Sequence, residues 1–341
     1  LNIEYSVGGI KIFFSANLFL KFNLISKYLI KNNVHAYWRK RKNQLKKIEF
    51  SDVYSSFCAI FGTSLPKKIK MNQIVDKVLF SEKVAKFIVE APRIARSRKP
   101  GHFVILRVDE KGERIPLTIA GADPVKGTIV LVVQKMGVSS AKLFELNVGD
   151  SILDLVGPLG KATHIHNPGT ILACGGGVGV APMLPIVEGF KKAGNRVISI
   201  IAARNKDLII LEDEIRKWSD EVIVMTDDGS YGTKGLVTAG AEAVIQREKV
   251  DECIAIGPAV MMKFTSLLTK KYQIPTQASL NAIMVDGTGM CGACRVTVGG
   301  RTLFTCIDGP EFDAHQIDFD ELIMRLGGYS AEEKVAYERY L

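Results

Sequence analysis

The sequence predicts a multidomain chain of mixed class. An antiparallel all-β barrel spans 71–166, an α/β domain with a doubly wound parallel sheet spans 167–281, and a small cysteine-bearing domain spans 282–341. Three observations predict it. Between Asn72 and Gly160 short apolar or alternating runs are separated by Gly, Pro, Asp and Lys, with no long 3.6-residue period. From Pro168 onward strand-like and helix-like runs alternate, the pattern of a parallel sheet covered by helices. After Ala282 neither texture continues, and three cysteines fall within sixteen residues, from Cys291 to Cys306.

Residues 1–70 stand apart. They carry 13 Lys and Arg against 3 Asp and Glu, whereas the remaining chain carries 32 against 33. The net charge of +9 therefore sits in the first fifth, and the main body has no electrostatic reason to seek polyanions. Seven of the sixteen Phe also lie here. Three readings fit the segment: an amphipathic membrane-surface helix, a targeting peptide, or a mis-called start with the protein proper beginning at Met71; the last is preferred, because a coherent domain opens just after Met71. Its longest uncharged stretch, Val53 to Pro66, is fourteen residues, too short to span a bilayer.

The barrel strands are "NQIVDKVLFS", "AKFIVEAP", "GHFVILRVDE", "GTIVLVVQKM" and "DSILDLVGPLG". Then "GTILACGGGVGVAPMLPIVEGFKKAG" reads as a buried strand, a glycine turn and a helix ended by Gly194. "NRVISIIAAR", "EVIVMTDD", "DECIAIGP" and "PTQASLN" follow as strands, and "LIILEDEIRKWS", "VTAGAEAVIQRE" and "AVMMKFTSLLTKK" as helices. "CRVTVGGRTLFTC" predicts a β-ribbon around a Gly-Gly turn. The scattered Cys58, Cys174 and Cys253 read as reduced, mostly buried thiols, which with no secretory signal makes the cytoplasm the expected compartment.

Several stretches carry chemistry. Gly175, Gly176, Gly177, Val178 and Gly179 form a turn from strand to helix, where the backbone can approach a pyrophosphate and the helix N-terminus offers free N–H groups. Arg204 and Asp207, after the second strand, are candidate ribose readers, the first suited to a 2′-phosphate and the second to a free hydroxyl; NAD is preferred over NADP. In "RIPLTIAG", Arg114 can pair with a phosphate and Thr118 can present a hydroxyl to a flavin edge. Gly137, Val138, Ser139 and Ser140 form a turn able to donate to a pyrophosphate. Asp286, Cys291, Cys294 and Cys306 keep the C-x4-C-x2-C…C spacing of a plant-type [2Fe–2S] site with aspartate in the first position. Zinc and unliganded thiols are the alternatives. His164 and His166 lack an evident third ligand and read as loop histidines, and no nucleophilic triad or catalytic carboxylate pair can be argued.

Taken together, these motifs resemble the ferredoxin–NADP reductase superfamily. Within it the chain resembles the electron-transfer subunits of dihydroorotate dehydrogenase, and more closely the small subunits of NADH-dependent reduced ferredoxin:NADP oxidoreductase. "PGHFV", "GGGVGVAP", "TDDGSYGTKGLVT", "IGPAVMM" and "CIDGPEFD" carry the likeness, from Met71 to the C-terminus. The resemblance implies a Greek-key barrel binding FAD, an α/β domain binding NAD(P)H and a C-terminal [2Fe–2S] domain. Arg114, Pro116, Leu117 and Thr118 would stand for the first flavin motif, with Leu117 in place of Tyr and Arg114 one residue further out than the motif places it. Gly137 to Ser140 would stand for the second. Asp227, Asp228, Gly257 and Pro258 would join the nucleotide site, and Thr118 would touch the reacting flavin edge. Asp286 and the three cysteines would hold the cluster. A larger flavin and iron–sulfur partner subunit is implied, since this chain has no site of its own for a second substrate. A non-catalytic nucleotide-binding redox sensor with a zinc site is the competing reading outside the enzymes.

Overall fold

A computed structural model describes residues 2–7, 10–15 and 72–340, and the chain divides into two units, 1–69 and 70–341. In the first unit, β1 (Asn2–Val7) pairs antiparallel with β2 (Ile10–Ser15), from Asn2 opposite Ser15 to Val7 opposite Ile10. One of the three readings of this segment put residues 10–15 in an amphipathic helix, and they form a strand instead. The run "NIEYSVGGIKIFFS" alternates in its first half, is rich in Ile, Phe and Tyr, and has Gly-Gly at its middle, a sequence pattern that favours a hairpin. The rest of that expectation, the other readings of residues 1–70 and Cys58 fall outside the described residues. None of the described helices is long and apolar enough to cross a membrane.

The second unit begins with a six-stranded antiparallel sheet. Its strands are β3 (Ile74–Leu79), β4 (Val84–Glu90), β5 (Phe103–Arg107), β6 (Ile115–Asp123), β7 (Thr128–Gln134) and β8 (Asp154–Leu159). Their order is β3-β4-β7-β6-β5-β8, and a bridge between Gln73 and Ser151 ties the two edges into a barrel. Alternation sorts the side chains. Val104, Leu106 and Ile119 fill the barrel interior with Phe87, Leu131 and Leu143. Their neighbours Phe103, Ile105 and Ala120 pack outside it, against the other two domains. Two short helices interrupt the barrel, α1 (Pro92–Ser97) and α2 (Val138–Glu145).

The second sheet has seven strands in the order β12-β11-β10-β9-β13-β14-β17. β9 (Thr170–Gly176) lies at its centre, between β10 (Arg196–Ala203) and β13 (Glu252–Ile256). β11 (Glu221–Thr226) and the two-residue β12 (Thr233–Lys234) extend it on one side. On the other, β14 (Thr276–Ser279) is parallel and β17 (Glu311–Asp313) antiparallel. The last of these comes from the C-terminal segment, so that segment completes the sheet's edge. α3 (Val180–Lys192) covers one face with α4 (Glu212–Arg216), and α5 (Val237–Arg247) and α6 (Ala259–Lys271) cover the other. "LIILEDEIRKWS" is helical only over Glu212–Arg216, because Ile210 and Leu211 leave the helical path to enter the core beneath α3.

The C-terminal domain holds the ribbon β15 (Arg295–Val298) and β16 (Arg301–Phe304), whose turn residues Gly299 and Gly300 have φ of 57° and 73°, as the tight hairpin requires. It continues with α7 (Thr305–Asp308), α8 (Phe319–Leu326) and α9 (Ser330–Tyr340). Its core, including Cys294, Cys306, Val296 and Phe319, is shared with Phe103 and Ile105 of β5.

Candidate functional site

Strand order places the nucleotide motif. The chain runs outward from β9 through β10 to β11 and β12, then returns to β13 on the other side of β9. The C-terminal ends of β9 and β13 therefore flank the switch point where ligands bind in such sheets. Gly175 to Gly179, Arg204, Asp227, Asp228, Gly257 and Pro258 all lie at the C-terminal ends of β9, β10, β11 and β13. The glycines divide by role. A Cβ at Gly179 would lie 2.5 Å from the Ile256 carbonyl oxygen, and one at Gly176 would meet Met261 Sδ, so these two permit close packing of the turn on the end of β13 and on α6. Gly175 is pressed by Met183 of α3 in the same way, and Val178 packs on the core. Gly177 alone of the four has φ of +54° with nothing within 4 Å of its Cβ position. Its backbone is the part of the turn open to a ligand.

Beyond the turn, Arg204 and Asp207 are exposed, and the Arg204 carbonyl accepts the Asp228 N–H at 3.2 Å. The Asp227 N–H donates to the Ala203 carbonyl at 3.1 Å. Hydrogen bonds from Ser230, through its hydroxyl and its N–H, hold the Asp228 carboxyl below the usual carboxylate range.

Of the residues expected to bind flavin, Pro116, Leu117 and Thr118 lie on β6 and Arg114 just before it. Phe103 pairs with Thr118 and Ile105 with Pro116, so all four side chains share the outer face of the barrel. Leu117 points the other way and packs on the barrel core. α3 and the glycine turn rest against β6 and β7, so Thr118 and Gly177 border one seam between barrel and sheet. Arg114, half-exposed, is 3.9 Å from Asp154, whereas Arg107 holds that carboxylate at 2.8 Å, which leaves the Arg114 guanidinium free to turn to a phosphate. Gly137 precedes α2. The Ser140 hydroxyl accepts the N–H groups of Met136 and Gly137 at 2.9 and 3.0 Å and donates to the Gly137 carbonyl. Its hydroxyl thus builds the turn, and Ser139 is buried. What remains for an anion is the set of unpaired N–H groups that every helix start presents, here from Val138 onward.

The cysteine loop folds against the barrel. A Cβ at Gly287 would lie 2.7 Å from Leu159 and 2.9 Å from Ile105, so the loop sits directly on β5 and β8. Its four candidate ligands fall into two pairs. The Asp286 carboxylate accepts N–H groups from Thr288 and Cys291, each at 2.9 Å, and the Cys291 thiol and Met290 N–H also reach it. These bonds, the Thr288 N–H foremost, hold Asp286 below the usual carboxylate range. Cys294 and Cys306 form the second pair, with their Sγ atoms 3.2 Å apart and both buried. The Cys306 N–H points at Cys294 Sγ, and the Gly289 N–H at Cys306. Burial, then the bond to Cys294, pushes the Cys306 thiol up to about 12, so a metal must displace its proton.

This donor set fits a binuclear cluster. Two pairs of anionic ligands suit two irons, and N–H groups aimed at sulfur suit a negatively charged centre. A single zinc ion would draw four ligands to one point. Among the described residues no three His, Cys, Asp or Glu side chains are so gathered.

Other expected residues settle elsewhere. Cys174 and Cys253 are buried, and their mutual hydrogen bond, with burial, raises the Cys253 thiol well above its usual value. His164 and His166 lie in a loop with rings stacked at 4.8 Å, and His166 Nε2 is 3.2 Å from Glu252. Sequence reasoning missed Phe103 and Ile105, which share the outer face of the strand pair with Thr118 and Pro116 and pack there against the cysteine-bearing domain; only the alternation of "HFVILR" hinted at a two-sided strand.

Residues 281–318 match the family model for the iron–sulfur cluster binding domain of dihydroorotate dehydrogenase B. The chain is 47% identical over 271 residues to the Dihydroorotate dehydrogenase B (NAD(+)), electron transfer subunit homolog of Thermotoga maritima, covering 80% of this chain and 96% of that one. It is similar to a chain of the NADH-dependent reduced ferredoxin-NADP oxidoreductase structure, solved for insight into flavin-based electron bifurcation. That match has 45% identity and a TM-score of 0.76, and covers 81% of this chain and 99% of the other. The cytochrome b5 reductase domain of Ulva prolifera nitrate reductase shares the fold at 20% identity, with a TM-score of 0.51 over 62% of this chain and 95% of that one.

Proposed function

The chain belongs to the dihydroorotate dehydrogenase B electron transfer subunit family, and on that premise we propose that it carries electrons between NAD(P)H and a larger partner subunit through FAD and a [2Fe–2S] cluster. It is an oxidoreductase subunit of the flavin and iron–sulfur type. It takes its electrons from or gives them to NAD(P)H, binds its cofactors through the residues named above and works in the cytoplasm. The closer assignment is the small subunit of a ferredoxin:NADP(H) oxidoreductase, which the aspartate in the first ligand position favours over a dihydroorotate dehydrogenase partner.

One observation carries the reading. β5 and β6 present Phe103, Ile105, Thr118 and Pro116 on one face, and that face meets the cysteine loop through Ile105 and Gly287. Neighbouring strands lie about 4.8 Å apart, so the flavin strand and the cluster loop are separated by one strand spacing and a layer of side chains. Bound there, FAD and the cluster supply the two-electron and one-electron chemistry. Thr118 offers its hydroxyl to the flavin edge, and Arg114 with the Gly137–Ser140 turn holds the cofactor's phosphates. The glycine turn, with Gly177 at its open point, orients the nucleotide against the same seam. Asp286, Cys291, Cys294 and Cys306 hold the cluster. No residue need act as general acid or base, in keeping with the lack of an arguable triad or carboxylate pair in the sequence.

The test is a visible spectrum of the anaerobically purified full chain before and after NADH, with iron and acid-labile sulfide assayed on the same sample. Flavin bands over a broad cluster envelope, both bleached by NADH, are expected. Asp286→Ala is expected to retain FAD and lose most of its iron and sulfide. A flavin that bleaches in protein holding neither iron nor sulfide would refute the cluster, and a colourless protein would refute the whole reading.

A further inference from the structure

α8 begins just beyond the segment matched by the iron–sulfur family model, which ends at residue 318. It is fixed in place by Phe319 and Leu322, buried in the same core as Cys294 and Cys306. That anchoring brings Arg325, in the helix's last turn, over the cysteine loop, where Nη2 donates to the Ala293 carbonyl at 3.0 Å. The carbonyls on either side are held as well. Gly292 accepts from Arg295 Nη1 at 3.2 Å, and Cys294 accepts from the N–H and hydroxyl of Thr305 at 3.0 and 2.9 Å. Arg295 and Arg325 line one crevice with Ala282, Ile283 and Leu322. Arg295 is exposed, but Arg325 is half-buried, so its charge is less screened by solvent.

A peptide unit is planar and trans, so the Ala293 carbonyl and the Cys294 N–H point in opposite directions. Holding the one aims the other. We propose that Arg325 is a positioning residue for the iron–sulfur cluster. By fixing the 293–294 peptide it sets the direction of Cys294, and as a cationic side chain beside the loop it raises the cluster's reduction potential. A reduced cluster carries one more negative charge than an oxidised one, and net charge and hydrogen bonding around the centre set its potential. This inference rests on the cluster reading above.

The test compares the full chain with Arg325→Met, Arg325→Gln and Arg325→Lys by iron and sulfide content, the electron paramagnetic resonance signal of the reduced protein, and a redox titration of cluster and flavin. Arg325→Met and Arg325→Gln are expected to lower the equilibrium constant for cluster reduction by about tenfold, about 59 mV for one electron. Their resonance line shape should change while FAD content and flavin potential hold. Arg325→Lys should keep the potential but not the line shape, because it retains the charge without the planar fork. If Arg325→Met fails to fold, Arg325→Gln carries the comparison. A variant lacking the charge, with full iron and sulfide and the parent potential and signal, would overturn the proposal. So would equal loss of FAD and cluster in all three variants, which marks a packing role alone. A parent protein without iron or sulfide would instead refute the cluster reading, and this inference with it.

Discussion

Two glycines of one turn are expected to fail in different ways when each is replaced by alanine. At Gly179 the new methyl would sit 2.5 Å from the Ile256 carbonyl oxygen and 2.8 Å from the Gly257 Cα, both backbone atoms that cannot swing aside. Ordinary contact begins near 3.4 Å, so the end of β13 and the start of α3 must part by most of an ångström. Overpacking of this kind costs about 2–3 kcal/mol, which in a large domain lowers the melting temperature by roughly 4–12 °C. At Gly177 there is no such clash, and the cost is that of a left-handed residue, about 1–2 kcal/mol. That position is the open point of the proposed nucleotide site, so its methyl should obstruct the nucleotide. Thermal unfolding of the FAD-loaded protein and the KM for NADH with an artificial acceptor separate the two. Gly179→Ala should lose stability and Gly177→Ala mainly affinity. A Gly179→Ala protein with parental melting temperature and raised KM would refute the division of roles.

Two more outcomes follow from the geometry. Thr118→Ala, which removes a hydroxyl from the outer face of β6, should slow flavin reduction by roughly tenfold, the worth of about one hydrogen bond, with FAD content unchanged; stopped-flow absorbance reads it, and an unaltered rate would remove Thr118 from the site. Burial raises the Glu311 carboxyl to about 7, with the nearby Glu252 adding to the rise and the 2.6 Å bond from Thr163 opposing it. Its folded pKa thus exceeds the value of about 4.3 for an unfolded chain, so its contribution is full below that value and is lost as pH rises through about 7. Glu311→Gln should melt higher than the parent at pH 8 and gain no such advantage at pH 4.5, and identical melting profiles from pH 4 to pH 8 would contradict this.

Local chemistry explains which parts were legible beforehand. Alternation and period separated the barrel from the α/β half because each face of a strand or helix meets one environment. The Gly-Gly ribbon was readable because few residues tolerate that turn. β12 was invisible at two residues, and β17 at three, since neither is long enough to show a period. The helical stretch before Trp218 was overestimated because an apolar run does not say whether it is buried as helix or as coil.

By itself the sequence determined the order of the domains, the glycine turn and the spacing of the candidate ligands from Asp286 to Cys306, because each depends on neighbours in the chain. Only the tertiary structure decided what depends on distant neighbours. It assigned three of the glycines to packing and left Gly177 open, since Ile256, Met261 and Met183 come from other elements. It turned the Ser140 hydroxyl inward to its own turn and paired Asp286 with Cys291 and Cys294 with Cys306. It also joined flavin strand to cluster loop through β5 and brought Arg325 to Ala293, thirty-two residues away in the chain. Such contacts arise because a buried core can be filled in only one way, and that constraint is not written in any local run of residues.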